Sequence, residues 1–134
     1  MHAISRTFLG LGAAILLLAT ALGAYASHGL ATHADAATVR AFGSAVDYQF
    51  YHGLGLLAVA ILTELKPHIR LFRLAGWLLI IGIALFCGSI YATTFGAPAS
   101  LGGGAPIGGT AFMAAWLALA LGAWAVGRPT DPLA

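Results

Sequence analysis

No Asp, Glu, Lys or Arg occurs between Leu74 and Gly127. A run of 54 residues without a formal charge excludes an ordinary water-facing helix or loop surface over that stretch and names lipid as the solvent. Charge is scarce elsewhere too: charged residues make up 7% of the 134-residue chain, six cations against four anions, for a net +2. That is too sparse for a nucleic-acid surface. Cysteine is nearly absent. The single Cys87, inside an apolar stretch, excludes an intramolecular disulfide and a Cys-rich metal site, and reads as a small core residue. Also missing are Cys-x-x-Cys-His, His-Glu-x-x-His and any Gly-x-Ser-x-Gly around Ser44 or Ser89, so no catalytic residue, metal or cofactor is expected and the chain is not read as an enzyme.

What the chain has in quantity is apolar side chain, 60% of all residues. A helix needs roughly 20 apolar residues to cross a hydrocarbon core of about 30 Å. The long uncharged run therefore holds two crossings joined by the Gly/Pro-rich segment Phe95 to Pro106, while the uncharged runs Thr7 to Ala34 and Tyr48 to Thr63 supply two more. The reading is all-α: a polytopic membrane protein, one four-transmembrane-helix bundle over residues 1–134. Its spans are drawn at Thr7 to Ser27, Asp47 to Leu65, Leu74 to Thr94 and Ile107 to Val126. The sequence Ala24-Tyr25-Ala26 imitates a signal-peptide cleavage site after an apolar run, but the first span is expected to be retained as part of the bundle.

Charge asymmetry sets the expected orientation. With four spans, Arg6, Lys66, Arg70, Arg73 and Arg128 share one side and Arg40 stands alone on the other, which places both termini in the cytoplasm. Between the first two spans Asp35 can cap a helix in which Val39, Phe42, Val46 and Phe50 form an apolar stripe; a short amphipathic helix at the outer interface is expected there. The segment Gly96 to Gly104 is expected to fold back over the bundle, because its amides need partners at the membrane surface.

Helices in lipid associate by close packing at small residues. Three spans carry such residues four apart: Ala19, Gly23 and Ser27; Ala84, Gly88 and Ala92; Ala114, Ala118 and Gly122. These are read as internal seams, with Gly23, Gly88, Ala118 and Gly122 as helix-packing positions.

Polar side chains concentrate toward the expected outer half, and a pocket open to that side is the natural reading. Its candidates for ligand binding or proton handling are His28, Asp47, Tyr48, Gln49, His52, Ser89 and Tyr91. Asp47 with Tyr51, and Tyr48 with His52, are four apart and can meet along a helix. His52 stands out, because ionisable groups inside a span are rare and usually face a cavity or a partner. A bis-histidine haem site from His28 and His52 is chemically adequate but lacks any supporting motif.

Four blocks in order, Gly23-Ala24-Tyr25-Ala26-Ser27-His28-Gly29, Tyr48-Gln49-Phe50-Tyr51-His52, Gly88-Ser89-Ile90-Tyr91 and Pro106-Ile107-Gly108-Gly109, resemble domain-of-unknown-function family 423, the transmembrane protein 256-like family. The resemblance covers almost the whole chain. It implies a small four-helix protein of the bacterial inner membrane, with a mitochondrial counterpart in animals, and carries no established activity with it. Two departures are visible: Gly53 follows His52 where the family more often has Ala, and Cys87 stands where a small hydroxyl residue is commoner. The expected role is a non-enzymatic bundle component that self-associates as a homo-oligomer, or packs into a larger membrane complex, and holds lipid or another hydrophobic ligand at the outer-side pocket. The alternative is a small oligomeric transporter or channel in which His52, Asp47 and Tyr48 handle a proton or polar solute.

Overall fold

A computed structural model describes residues 1–126 and is helical throughout, with no strand among those residues. Helix α1 covers Ala3–His28, α2 Ala36–Leu65, α3 Arg70–Gly82, α4 Gly88–Thr94 and α5 Gly104–Val126. One π-helical turn, Ile83–Cys87, joins α3 to α4 into a single rod. Short 3₁₀ turns occupy Leu30–Thr32 and Ala99–Gly103. Four rods, Ala3–Thr32, Ala36–Leu65, Arg70–Thr94 and Ala99–Val126, are long and apolar enough to cross a membrane, as the hydropathy of the sequence predicts.

The breaks between rods have local causes. Asp35 begins α2 by accepting the Thr38 backbone N–H at 2.8 Å. That bond holds the Asp35 carboxyl below its ordinary range. At the other end of α2, Pro67 denies Lys66 the helical conformation and supplies no N–H, so the chain turns at Lys66 (φ −135°, ψ 65°). Helix α4 stops at Gly96, whose φ of +94° only glycine adopts without strain. The Ala97 N–H reaches back to the Ala92 carbonyl at 2.9 Å and the Gly96 N–H to Thr93 at 3.2 Å, which is the Schellman arrangement.

The up-and-down path puts the start of α1, the end of α2, the start of α3 and the end of α5 on one side. There the His2 N–H donates to Glu64 at 2.7 Å. On the same side Gly122 lies against the Phe72 ring. Of the cations assigned to this side, Arg128 lies outside the described residues.

The expectation of a separate outer-side helix is corrected. The amphipathic segment after Asp35 is not a separate surface helix but the first turns of α2, which runs unbroken for 30 residues. At 1.5 Å per residue that is roughly 45 Å, the thickness of a bilayer with its headgroups, so the polar start of the helix stands clear of the hydrocarbon without a break. Its apolar stripe turns inward. Phe42 is fully buried among Tyr25, Tyr91 and Phe95, with ring centroids 5.9, 4.7 and 6.1 Å away. A second cluster, with Phe8, Leu56, Leu79, Cys87, Phe112 and Ala115, fills the remainder of the bundle.

Backbones pack closely where the π turn meets α5. A Cβ on Gly108 would collide with the Phe86 backbone nitrogen, and one on Gly82 with the Phe112 ring. Those two glycines set the crossing of α3 and the π turn over α5. Of the seam positions, Ala19 and Ala118 are buried, Gly122 is pressed by Phe72, and Gly23 touches Val46 at ordinary contact distance. Gly88 differs: a Cβ there would meet nothing, and Ala84 beside it is exposed. The expected internal seam through Ala84, Gly88 and Ala92 is therefore corrected to a face turned out of the bundle.

Candidate functional site

The polar residues expected to share one pocket divide into two groups on α2. Gln49, 2% exposed, spans two neighbours: its Nε2 donates to the Ile15 carbonyl of α1 at 2.9 Å, and its Oε1 accepts from the Tyr91 hydroxyl of α4 at 2.8 Å. All the hydrogen bonds of this group tie helices to one another. In lipid such a bond contributes about 0.6 kcal/mol on average and up to roughly 1.7 kcal/mol.

His52 heads the other group. Because α2 starts at Ala36, His52 stands near the middle of the helix rather than close to its start. The side chain is 5% exposed, with its ring stacked on Phe112 of α5 at 3.5 Å between centroids and 10° between planes. Its Nδ1 lies 2.6 Å from the Tyr48 carbonyl. A carbonyl only accepts, so Nδ1 carries the proton and Nε2 of the neutral ring is left as an acceptor with no partner among the described residues.

That nitrogen belongs to a side chain lining a groove of about 380 Å³ between α2 and α5, whose walls are Tyr48, His52, Phe86, Pro106, Gly109, Thr110, Phe112, Met113 and Trp116. Tyr48 stacks on Phe86 at 4.7 Å and 20°. The π turn carries Phe86, and the close crossing at Gly82 and Gly108 brings it against Phe112, 5.8 Å away. Neither Lys, Arg, Asp nor Glu lines the groove. Thr110 donates its hydroxyl proton to the Pro106 carbonyl at 3.0 Å, so its oxygen also turns lone pairs outward.

The remaining candidates stand apart. His28 and Asp47 are exposed and line neither this groove nor any hydrogen-bonded cluster with it. Asp47 and Tyr51 are both exposed, without a hydrogen bond between them. Ser89, 8% exposed, donates to the Phe86 carbonyl at 3.0 Å and lines a different groove of about 310 Å³ with Ala84, Gly88, Ala92 and Leu101. Ser5 and Thr63, which the sequence reading passed over, bury hydroxyls without partners at the termini side. Among the described residues no three His, Cys, Asp or Glu side chains gather where they could hold a metal ion. Sequence reasoning also missed Phe86, Phe112 and Trp116. Phe112 and Trp116, four apart on α5, carried a usable signal, since that spacing places two rings on one helix face.

A family model described as "Protein of unknown function (DUF423)" matches residues 22–109. The UPF0382 membrane protein YwdK of Bacillus subtilis is 37% identical over 118 residues, 88% of this chain and 96% of its own length. A UPF0382 membrane protein of Staphylococcus saprophyticus is 36% identical over 90% of this chain and 99% of its own. One from Haemophilus influenzae is 38% identical over 78% and 82%. No solved structure matches the chain.

Proposed function

The chain belongs to this family of membrane proteins (DUF423), and from that premise we propose that it is a non-enzymatic helix-bundle component of the bacterial inner membrane that holds a hydrophobic ligand in the groove between α2 and α5. One observation carries the reading: His52 is almost wholly buried at mid-helix, yet one of its nitrogens is unpartnered and its side chain lines a groove open to lipid. An acceptor left without a hydrogen bond against hydrocarbon costs about 1–3 kcal/mol. Unlike the Ser5 and Thr63 hydroxyls, which are closed inside the packing, His52 lines a groove from which a ligand can supply the missing bond. Ionisable side chains within spans face cavities or partners for the same reason.

Support for the non-enzymatic part comes from the company His52 keeps. Its Nδ1 is engaged by a backbone carbonyl and no carboxylate or nucleophilic hydroxyl pairs with it, so the pairing that activates a nucleophile is absent from the groove lining. Self-association, or docking into a larger complex, draws support from the outward face at Ala84, Gly88 and Ala92, where small residues admit close approach of another helix. The cation excess on the termini side supports an orientation with both termini cytoplasmic. The transport alternative has less to draw on: toward the termini side the buried polar side chains are Ser5 and Thr63, and no hydrogen bond links either to His52.

The test is native mass spectrometry of protein released gently from its membrane. A reproducible non-protein mass on wild type, lost from His52→Phe, is the expected result. Bare protein in both samples would refute the ligand-binding reading.

A further inference from the structure

We propose that the occupant of the α2–α5 groove is an uncharged, membrane-soluble aromatic ring bearing hydroxyl groups, a hydroquinone by chemical class, and that one hydroxyl donates its proton to Nε2 of His52. The proposal rests on the ligand-binding reading and narrows it to one kind of molecule.

The direction of the hydrogen bond comes first. The Tyr48 carbonyl fixes one proton on Nδ1, and with no carboxylate lining the groove to stabilise an imidazolium, Nε2 stays unprotonated and presents a lone pair, so the ligand donates. Thr110 has likewise given its proton to Pro106, so both groove side chains whose protons are assigned by backbone carbonyls present acceptors. Esters, ketones and quinones offer only acceptors, which the Tyr48 hydroxyl or the Trp116 indole N–H of the lining can meet but which leave Nε2 unmatched. Phosphate and carboxylate headgroups fare worse, because the groove lining contains no Lys or Arg to receive them.

Shape and walls select the rest of the molecule. Four rings, Tyr48, Phe86, Phe112 and Trp116, line the groove, and aromatic faces and edges favour another ring in offset or edge-on contact. Its volume, about 380 Å³, lies at the lower end of the roughly 300–1,000 Å³ common for small-molecule sites. Gly109 leaves the α5 wall open, since a Cβ there would meet only the edge of Phe86 at 3.9 Å. At the rim, Met113 and Trp116 are exposed to the lipid side, so an alkyl tail can leave the ring for the bilayer.

The proposal separates two redox forms of one compound without invoking any electron transfer. The hydroquinone has the donor that Nε2 requires, and the quinone does not. An acceptor covered by the ligand and left unmatched weakens binding by a factor on the order of ten.

The experiment uses the full chain in phosphatidylcholine nanodiscs without oxygen, titrated by native mass spectrometry with a decyl-tailed benzohydroquinone, its benzoquinone, and a diacylglycerol. Expected are about tenfold or greater preference for the hydroquinone over both others, and loss of that preference in His52→Phe, which keeps a ring on Phe112. Should that variant fail to fold, the ¹⁵N resonance of His52 Nε2 in wild type decides instead: hydroquinone shifts it as an accepted hydrogen bond does, quinone leaves it in place. Equal binding of the two redox forms, or preference for the quinone, overturns the proposal. So does His52-dependent binding of diacylglycerol alone, which would leave the groove a lipid site of another class. If none of the three binds while another native mass is retained through His52, the hydroquinone is overturned and the ligand-binding reading stands. If nothing is retained at all, both fall.

Discussion

The imidazole of His52 lies flat on the ring of Phe112, 3.5 Å between centroids, with one nitrogen tied to its own helix and the other unpartnered. The contact joins α2 to α5 where their backbones do not pack directly, and it makes the groove's polar atom and its aromatic floor parts of one structure. Replacing His52 by Phe keeps a stacked ring and is expected to leave stability within about 0.5 kcal/mol while abolishing ligand retention. His52→Ala removes the stack as well and is expected to cost about 1 kcal/mol or more. Cys87, 1% exposed and the sole thiol, reports unfolding directly through its rate of thiol labelling on heating in detergent.

Gln49 and Tyr91 tie α2 to α4, and Gln49 carries the connection on to α1. Tyr91→Phe and Gln49→Leu are each expected to destabilise the bundle. A double-mutant cycle should return a coupling near 0.6–1.7 kcal/mol, the range of interhelical hydrogen bonds in lipid. Ligand retention should not change in Tyr91→Phe. A coupling indistinguishable from zero would remove this group's structural role.

Four spans were legible from the absence of charge alone, because a lipid-facing helix has no other way to be written. Less legible was where α2 begins. Arg40 reads as a residue outside a span and Asp47 as the first residue of one, yet a helix of 30 residues outreaches the hydrocarbon and carries such groups on its protruding turns. Spacing paired Tyr48 with His52 correctly, since both lie on one helix and fixed geometry relates them. It did not distinguish Gln49, adjacent in sequence, whose partners on α1 and α4 depend on how α2 is rotated within the bundle. The Gly88 stripe failed for the same reason: small residues four apart mark a face, and only packing says whether that face turns inward or outward.

Small residues should then differ sharply by position. Gly108→Val drives a side chain into the Phe86 backbone and Gly82→Val into Phe112, and either is expected to cost about 2 kcal/mol or more through forced separation of the rods. Gly88→Leu meets open space and should leave Cys87 labelling unchanged in the isolated protomer. If the outward face carries self-association, the same variant lowers the oligomeric mass in lipid nanodiscs. Equal sensitivity of all three variants in the labelling assay would contradict the packing described here.

Acid should loosen one end of α2 selectively. The Asp35 carboxyl is held below its ordinary range by the Thr38 N–H it accepts. Its contribution is fully present above the unfolded value, about pH 4, and is lost as pH falls through the lower folded value. Amide exchange at Thr38, corrected for intrinsic rate, is expected to rise only below that pH in wild type. Asp35→Ala should show faster exchange across the range. An unchanged rate in Asp35→Ala would show that the cap does not hold this end.

The central claim is that the groove between α2 and α5 holds a ligand, and the most direct measurement fills that groove while sparing His52. In Gly109→Leu the new side chain projects where a Cβ meets only Phe86, so the backbone crossing is untouched. Native mass spectra of the wild type and of this variant, prepared in parallel from the same membranes, are predicted to show a bound non-protein mass on the former and bare protein for the latter, with equal Cys87 labelling. The same mass retained on both proteins would contradict the account.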